Sequence, residues 1–377
     1  MNVGVVKWLD KYLGTPLCYF FGLLKIPWKL DDPKRILVIQ LWGIGESILT
    51  LPSIAALRKL YPKARIELLC TPRIAEVYRK NEDIDMLRKV DLGPLSVLKF
   101  AIGHAKRYDL VIDMEEYLNI SSLISYLVGK HRVGFSHGAR SLIYHRQVPY
   151  NDKQHVVQTF LDLIRTIGSG EKGEKLLPLK TTPKENKEAQ RVIRKNGEKG
   201  KIVAIAPGAA ESAKARIWPI EGYAELSDYI LHHYPSTILF TGTEEEKELI
   251  DSIMAKMDIK AGAVNLAGKL TLPELFALLE KVDLFIGNDS GPMHIAAAQG
   301  TRTIGLFGPN LPVRFGPYGK KCAGIYKGGI CKFSPCINVH WGEVPDCLYP
   351  KAGPDYQKCM KNISVGDVIS EVDRLIK

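Results

Sequence analysis

The sequence predicts an α/β protein built as two parallel-sheet domains that face one another across a cleft. Three observations carry this prediction. Short aliphatic and β-branched runs alternate with longer helical patterns, which marks strand–helix–strand units. The pattern starts twice, at about residue 36 and again at about residue 202, with a stretch dense in Lys and Glu between. Finally, 377 residues that are 46% hydrophobic and 25% charged are enough for two cores of ordinary size.

In the first half, Arg35-Ile36-Leu37-Val38-Ile39 reads as a buried opening strand. A loop over residues 40–47 follows, and behind it Ile54, Leu57 and Leu60 recur at helical spacing. Further strands are expected at Ile66-Glu67-Leu68-Leu69, at Asp109-Leu110-Val111-Ile112-Asp113 and at Arg132-Val133-Gly134-Phe135. From Glu171 to Lys201 the chain is charged, with one amphipathic helical patch, and reads as a surface connection. The second half opens with Ile202-Val203-Ala204-Ile205-Ala206, which runs into Pro207-Gly208-Ala209. Thr237-Ile238-Leu239-Phe240 ends in Thr241-Gly242-Thr243, and Val264-Asn265-Leu266 leads to Gly268. Thr271-Leu272-Pro273-Glu274 is a capping box opening a helix with Leu275, Leu278 and Leu279 on its apolar face. Leu284-Phe285-Ile286 then gives way to a polar turn, a small-residue helix at Ile295-Ala296-Ala297-Ala298 and a strand at Thr303-Ile304-Gly305-Leu306-Phe307. The expected boundaries are an N-terminal segment 1–32, a domain 33–175, a charged linker 176–200, a domain 201–365 and a terminal helix 366–377.

A formal charge of +11 points to an anionic partner. No Lys/Arg block interleaved with aromatics occurs, so nucleic acid is not expected among the partners. Tyr12 to Leu24 is uncharged, bordered by Trp8 and Trp28 and flanked by Lys7, Lys11, Lys25 and Lys29. It is too short to span a bilayer and no cleavage site follows it. An interfacial anchor on an anionic leaflet and an N-terminal helix packed on the body both fit. Of seven cysteines, Cys18 and Cys70 sit in apolar surroundings as buried thiols. Cys331, Cys336, Cys347 and Cys359 crowd one Pro/Gly-rich stretch, where a structural metal or free thiols fit better than disulfides.

Three loops carry candidate chemistry. Gly43-Ile44-Gly45 invites a dinucleotide reading, but Ile48 stands where the third glycine belongs, which excludes a dehydrogenase. That loop offers Glu46, where a carboxylate would repel phosphate and so fits a general base acting on a hydroxyl, or a favourable first-turn helix charge. The loop from Pro207-Gly208 to Trp218-Pro219 carries Lys214 and Arg216, either able to neutralise a diphosphate or to sit solvated. Gly287-Asn288-Asp289-Ser290-Gly291-Pro292-Met293-His294 joins a strand to a helix, with Pro292 at the first helical position. The amides of Ser290, Gly291 and Met293 would then face an anion at the positive helix end, flanked by Asp289 and His294.

Together, Gly45-Glu46-Ser47-Ile48-Leu49-Thr50-Leu51-Pro52, the Pro207-Gly208-Ala209 loop ending in Arg216-Ile217-Trp218-Pro219, and Asn288-Asp289-Ser290-Gly291-Pro292-Met293-His294 resemble glycosyltransferase family 9, the lipopolysaccharide core heptosyltransferases. The similarity runs from about residue 35 to the C-terminus, with Val133-Gly134-Phe135, Arg140 and Cys359-Met360-Lys361-Asn362-Ile363 inside it. It implies a GT-B fold of two Rossmann-like domains. It also implies transfer of heptose from ADP-heptose to a phosphorylated glycolipid acceptor, with inversion and without a cofactor or catalytic metal, at the cytoplasmic face of the inner membrane. By the same resemblance, the acceptor belongs to the N-terminal domain and the nucleotide sugar to the C-terminal one. Glu46 takes the place of the family's catalytic Asp, and Arg216 that of its diphosphate-binding Lys. Asp289 falls where the donor sugar is held, and Ser290, Gly291 and Met293 at the phosphate-facing helix start beside His294. Glu245 falls near the ribose-binding acid, with Gly208 and Gly242 lining the nucleotide. A transferase for another nucleotide sugar, or a non-catalytic nucleotide- or glycan-binding homologue, would share this machinery.

Overall fold

Each half of the chain winds into one six-stranded, fully parallel sheet. The computed structural model describes Trp8, residues 10–24, Pro27, residues 32–197 and residues 200–377. The chain divides into two units, Met1–Glu174 with Val339–Gly342, and Lys175–Asn338 with Glu343–Lys377. The first holds β1 (Arg35–Ile39), β2 (Arg65–Cys70), β3 (Met86–Lys89), β4 (Tyr108–Asp113), β5 (Gly129–Phe135) and β6 (Arg146–Val148), in the order β3-β2-β1-β4-β5-β6. The second holds β7 (Lys201–Ala206), β8 (Ser236–Phe240), β9 (Ala263–Asn265), β10 (Leu284–Asn288), β11 (Arg302–Phe307) and β12 (Cys322–Tyr326), ordered β12-β11-β10-β7-β8-β9. Read from β9, the second sheet repeats the winding of the first. Both follow the doubly wound order, whose direction reverses between the first and fourth strands and opens a crevice at their carboxyl ends.

The central strands are buried on both faces, as helix-covered parallel strands must be, and they are the aliphatic runs that the sequence announces. The strands missing from the sequence reading, β3, β6 and β12, lie outermost or are short, and carry Arg88, Lys89, Arg146 and Gln147 where alternation would be sought. The first core gathers Leu37, Ile39, Val111 and Ile124; the second gathers Val203, Ile205, Ile286 and Trp218.

One segment differs from expectation. Within the linker expected at 176–200, Pro183–Asn196 is a helix capped reciprocally by Thr182 and Glu185. It buries Ala189, Val192 and Ile193 and packs on Leu272–Leu279, so it is part of the second unit's body, its charges forming the solvated face. The terminal helix Val365–Leu375 likewise sinks Val368, Val372 and Leu375 into the second core.

At the N-terminus, Thr15–Gly22 forms a helix with Cys18 fully buried in a small cluster with Leu123 and Ile143. Its other side chains, Leu17, Tyr19 and Phe20, with Leu23 and Leu24 beyond, are exposed, so one face packs on the body and the other stays open. Lys7, Lys25, Trp28 and Lys29 lie outside the described residues. Among the described residues no helix is long and apolar enough to cross a membrane.

Behind β4 a buried ionic network fixes the sheet end. Arg140 (1% exposed) pairs with Asp113 at 3.1 Å, and the same carboxylate accepts the hydroxyls of Tyr144 at 2.6 Å and Ser121 at 2.8 Å. A side chain at Gly134 would run into the Tyr144 ring, which accounts for the glycine in Val133-Gly134-Phe135. Replacing Asp113 with Ala leaves Arg140 buried without its counter-charge; a urea titration should register a loss of about 3–5 kcal/mol, whereas an exposed pair such as Lys59 with Glu171 should cost under about 1 kcal/mol.

Candidate active site

The crevice between β1 and β4 is built around three glutamates. β1 ends at Ile39, opposite Asp113 of β4, and Glu115 just beyond β4 accepts the amides of Leu41 and Trp42, the latter at 2.8 Å. One carboxylate therefore pins the loop that leads to Glu46. The helix Ile44–Leu60 starts after Gly43, whose φ of +79° lies in the region that favours glycine. Glu46, half-buried in the first turn, lays its carboxylate over Gly43 where any Cβ would collide with it. Ser47 Oγ donates back to the Gly43 carbonyl at 2.6 Å and tightens the same turn.

Glu116 (3% exposed) stands next to this pair. It accepts the Tyr150 hydroxyl, while its backbone carbonyl accepts from His137 Nε2. Burial first, then the charge of Glu46, push its carboxyl up to about 8. Glu115 is pushed up to about 8 by burial, although the Leu41 amide pulls the other way. His137 is driven down to about 4 by burial and by Arg140. The crevice thus joins a half-exposed carboxylate to two carboxyls whose acidity burial weakens.

The second crevice lies between β7 and β10. Asn288, fully buried at the end of β10, accepts the Trp218 amide at 3.2 Å and the Tyr223 hydroxyl at 3.0 Å. Its Nδ2 donates to the Pro207 carbonyl at 2.6 Å and the Gly208 carbonyl at 3.3 Å. The next residue, Asp289, receives Arg216 Nη1 at 3.2 Å on its carboxylate and 3.0 Å on its carbonyl, and Asn310 Nδ2 at 2.9 Å. The helix Gly291–Ala298 begins beside it, its first turn holding Pro292, and Ser290 supplies no side-chain cap. Two buried nitrogens there have no hydrogen-bond partner: Arg216 Nε and His294 Nδ1. His294 is held down to about 3 by burial and then by Arg216, so it stays neutral. A cation, unpartnered polar nitrogens and a helix N-terminus lie together here, groups whose chemistry suits an anion.

Residues 102–337 match the sequence model of glycosyltransferase family 9 (heptosyltransferase). The chain belongs to this family. It is 28% identical over 306 residues to the lipopolysaccharide core heptosyltransferase OpsX of Haemophilus influenzae, covering 78% of this chain and 84% of that one. Among solved structures, a family 9 glycosyltransferase from Veillonella parvula superposes with a TM-score of 0.76 at 22% identity, over 93% of this chain and 99% of its own. The ADP-heptose LPS heptosyltransferase II of E. coli does so with a TM-score of 0.68 at 19% identity, over 91% and 98%. The fold is GT-B, and the protein is a glycosyltransferase.

The structure brings together Gly208, Arg216, Asp289, Ser290, Gly291 and His294 around the second crevice, and it bears on two further expectations. Glu245 is exposed on its turn, beside Thr243. The carboxylate against Gly208 and Gly242 belongs to Glu246, which a Cβ at either glycine would strike and whose acid is raised by burial. Glu246 closes a capping box with Thr243, taking its amide at 2.8 Å, so helix capping sets which of the three consecutive glutamates turns inward. Met293 does not offer its amide; that N–H reaches the Ser290 carbonyl at 3.2 Å and the side chain is fully buried.

The four late cysteines line one cavity of about 10 Å³, and all seven in the chain are free thiols. Among the described residues no three His, Cys, Asp or Glu side chains group closely enough to hold a metal ion. Burial raises the Cys359 thiol to about 12.

Glu116 was not singled out from sequence. The signal was present: in a doubly wound sheet the residues following the fourth strand share the crevice with those following the first. Because folded Glu116 binds a proton up to about pH 8 and the unfolded chain releases it near 4.5, stability falls as pH rises between those values. Thermal melts of Glu116→Gln from pH 5 to 8.5 should show a shallower decline than the native protein, the remaining slope coming from Glu115.

Proposed function

We propose that this family 9 protein transfers heptose from ADP-heptose to an inner-core sugar of lipopolysaccharide, inverting the anomeric centre and using no metal. The observation that carries the reading is the pairing of roles at the two crevices. One presents a carboxylate, Glu46, on a loop pinned by Glu115; the other presents an anion site made of Arg216, His294 and a helix N-terminus. Relatives named for lipopolysaccharide core and ADP-heptose chemistry support the substrates.

In this mechanism the first unit binds the acceptor and the second binds the nucleotide sugar. Glu46 takes the proton from an acceptor hydroxyl as its oxygen attacks the anomeric carbon from the face opposite the diphosphate. The bond to the diphosphate oxygen breaks, its electron pair leaves with ADP, and one displacement inverts the centre. Arg216 and the helix start at Gly291 stabilise the charge growing on the departing diphosphate, which is the dominant electrostatic contribution and the service that a metal would otherwise provide. Asp289 orients Arg216 and, with it, the sugar. Glu246 beside Gly208 and Gly242 takes the ribose hydroxyls. The basic surface and the open face of Thr15–Gly22 hold the protein peripherally on the cytoplasmic leaflet, where a phosphorylated glycolipid acceptor is embedded.

Calorimetric titration with ADP, GDP and UDP tests the donor. ADP should bind selectively and Arg216→Ala should abolish it; a preference for UDP or GDP would keep the fold and replace the sugar donor. Turnover separates the chemical roles. Glu46→Gln should lower kcat by about 10²–10⁴ with ADP affinity unchanged, and Arg216→Ala should cost about a hundredfold or more. Full activity in excess chelator is expected, and its loss would overturn the metal-free step.

A further inference from the structure

The first unit exposes apolar side chains on a second helix besides Thr15–Gly22. Along Pro94–Gly103, Leu95, Leu98 and Ile102 are 83%, 52% and 69% exposed, spaced so that they share one face. Val97 and Ala101 on the opposite face are buried in the core, so the helix is fixed in place with a greasy side outward. Exposed aliphatics scattered singly need no explanation, but a stripe of three does.

The two helices share a neighbour. Both pack on Asn119–Val128. The Phe21 ring lies 4.7 Å from the Tyr126 ring, and Lys106 Nζ sits 4.5 Å from the same ring on its way to the Tyr126 and Gly129 carbonyls. The Lys106 amide reaches the Leu127 carbonyl, and the Leu127 side chain is itself exposed. Tyr126, Leu127 and Lys106 therefore connect the end of the N-terminal helix to the end of Pro94–Gly103.

The charges on this face select its occupant. Lys11 and Lys99 are exposed along it, whereas Lys106 is spent on the Tyr126 and Gly129 carbonyls, Asp10 on the amides of Asn119 and Ile120, and Asp109 on Lys130 and the amides of Lys34 and Arg35. The centre of a protein–protein interface is depleted of lysine. Aliphatics that insert, with lysines beside them reaching headgroup phosphates, fit a leaflet carrying anionic lipid.

We propose that Leu95, Leu98 and Ile102, together with Leu127, form a second lipid-contact site, so that the first unit docks on an anionic leaflet at two places. The proposal rests on the membrane-embedded acceptor of the preceding reading. Its physical gain is orientation as well as affinity: one short insertion leaves the unit free to pivot and holds only marginally, while two fix its tilt and make the attachment stable.

The test is flotation of the full-length protein with vesicles of phosphatidylglycerol and phosphatidylethanolamine, against pure phosphatidylcholine. The wild-type protein should float with the anionic vesicles alone, and the double variant Leu98→Ser, Ile102→Ser should lose about tenfold or more of its vesicle partition, while keeping its thermal melt and its turnover on a soluble acceptor fragment. Equal flotation of wild type and variant would overturn the second site and leave membrane association standing. Failure of the wild type to float would overturn both. Equal flotation with phosphatidylcholine would overturn the anionic-leaflet assignment, and a wild-type dimer that the double variant turns into a monomer by light scattering would reassign the face to a second copy of this chain.

Discussion

One buried amide organises the second crevice. The side chain of Asn288 makes four hydrogen bonds from the end of β10, two accepted on its oxygen and two donated from its nitrogen, and they reach the loop after β7, the Trp218 amide and the Tyr223 hydroxyl. No other residue type of that size offers donors and acceptor together in that plane. Arg216 stands two residues before Trp218 and Asp289 one after Asn288, so the cation and its partner are both placed by the same clamp. Burial raises the stakes, since an unmatched polar group there carries its full desolvation cost.

The first crevice solves the same problem with a carboxylate. Glu115 beyond β4 gathers the amides of the loop after β1, and Arg140 braces it from behind through the Glu115 carbonyl. Glu115 and Asn288 both sit at or just beyond the carboxyl end of the fourth strand of their sheet and both hold the loop that follows the first strand. The repeated winding thus has a repeated fastening, in different chemistry.

Much of this was legible in the sequence because the signals are local. Aliphatic runs marked the central strands, Thr271 with Glu274 marked a helix start that the structure reproduces as a capping box, and Gly291-Pro292 marked the beginning of the helix after β10. What stayed hidden depends on contacts distant in the chain. β3, β6 and β12 are strands because a neighbour pairs with them, not because of their own pattern. Glu116 and Glu246 became site residues only once the sheet order and a cap determined which way each faces, and in Glu244-Glu245-Glu246 nothing but the capping geometry tells one acid from the next. Pro183–Asn196 looked like a tether since its charges outnumber its three buried residues, yet three at helical spacing suffice to dock it.

The fastening at Asn288 also has a consequence for how this protein tolerates change. Each crevice is held from within its own sheet, by bonds that run from a fourth strand to a first. Each loop is therefore seated by bonds within its own sheet, Glu115 holding the one after β1 and Asn288 the one after β7. A lineage can revise the loop that carries Glu46 while keeping the four bonds of Asn288, because each loop has its own anchor.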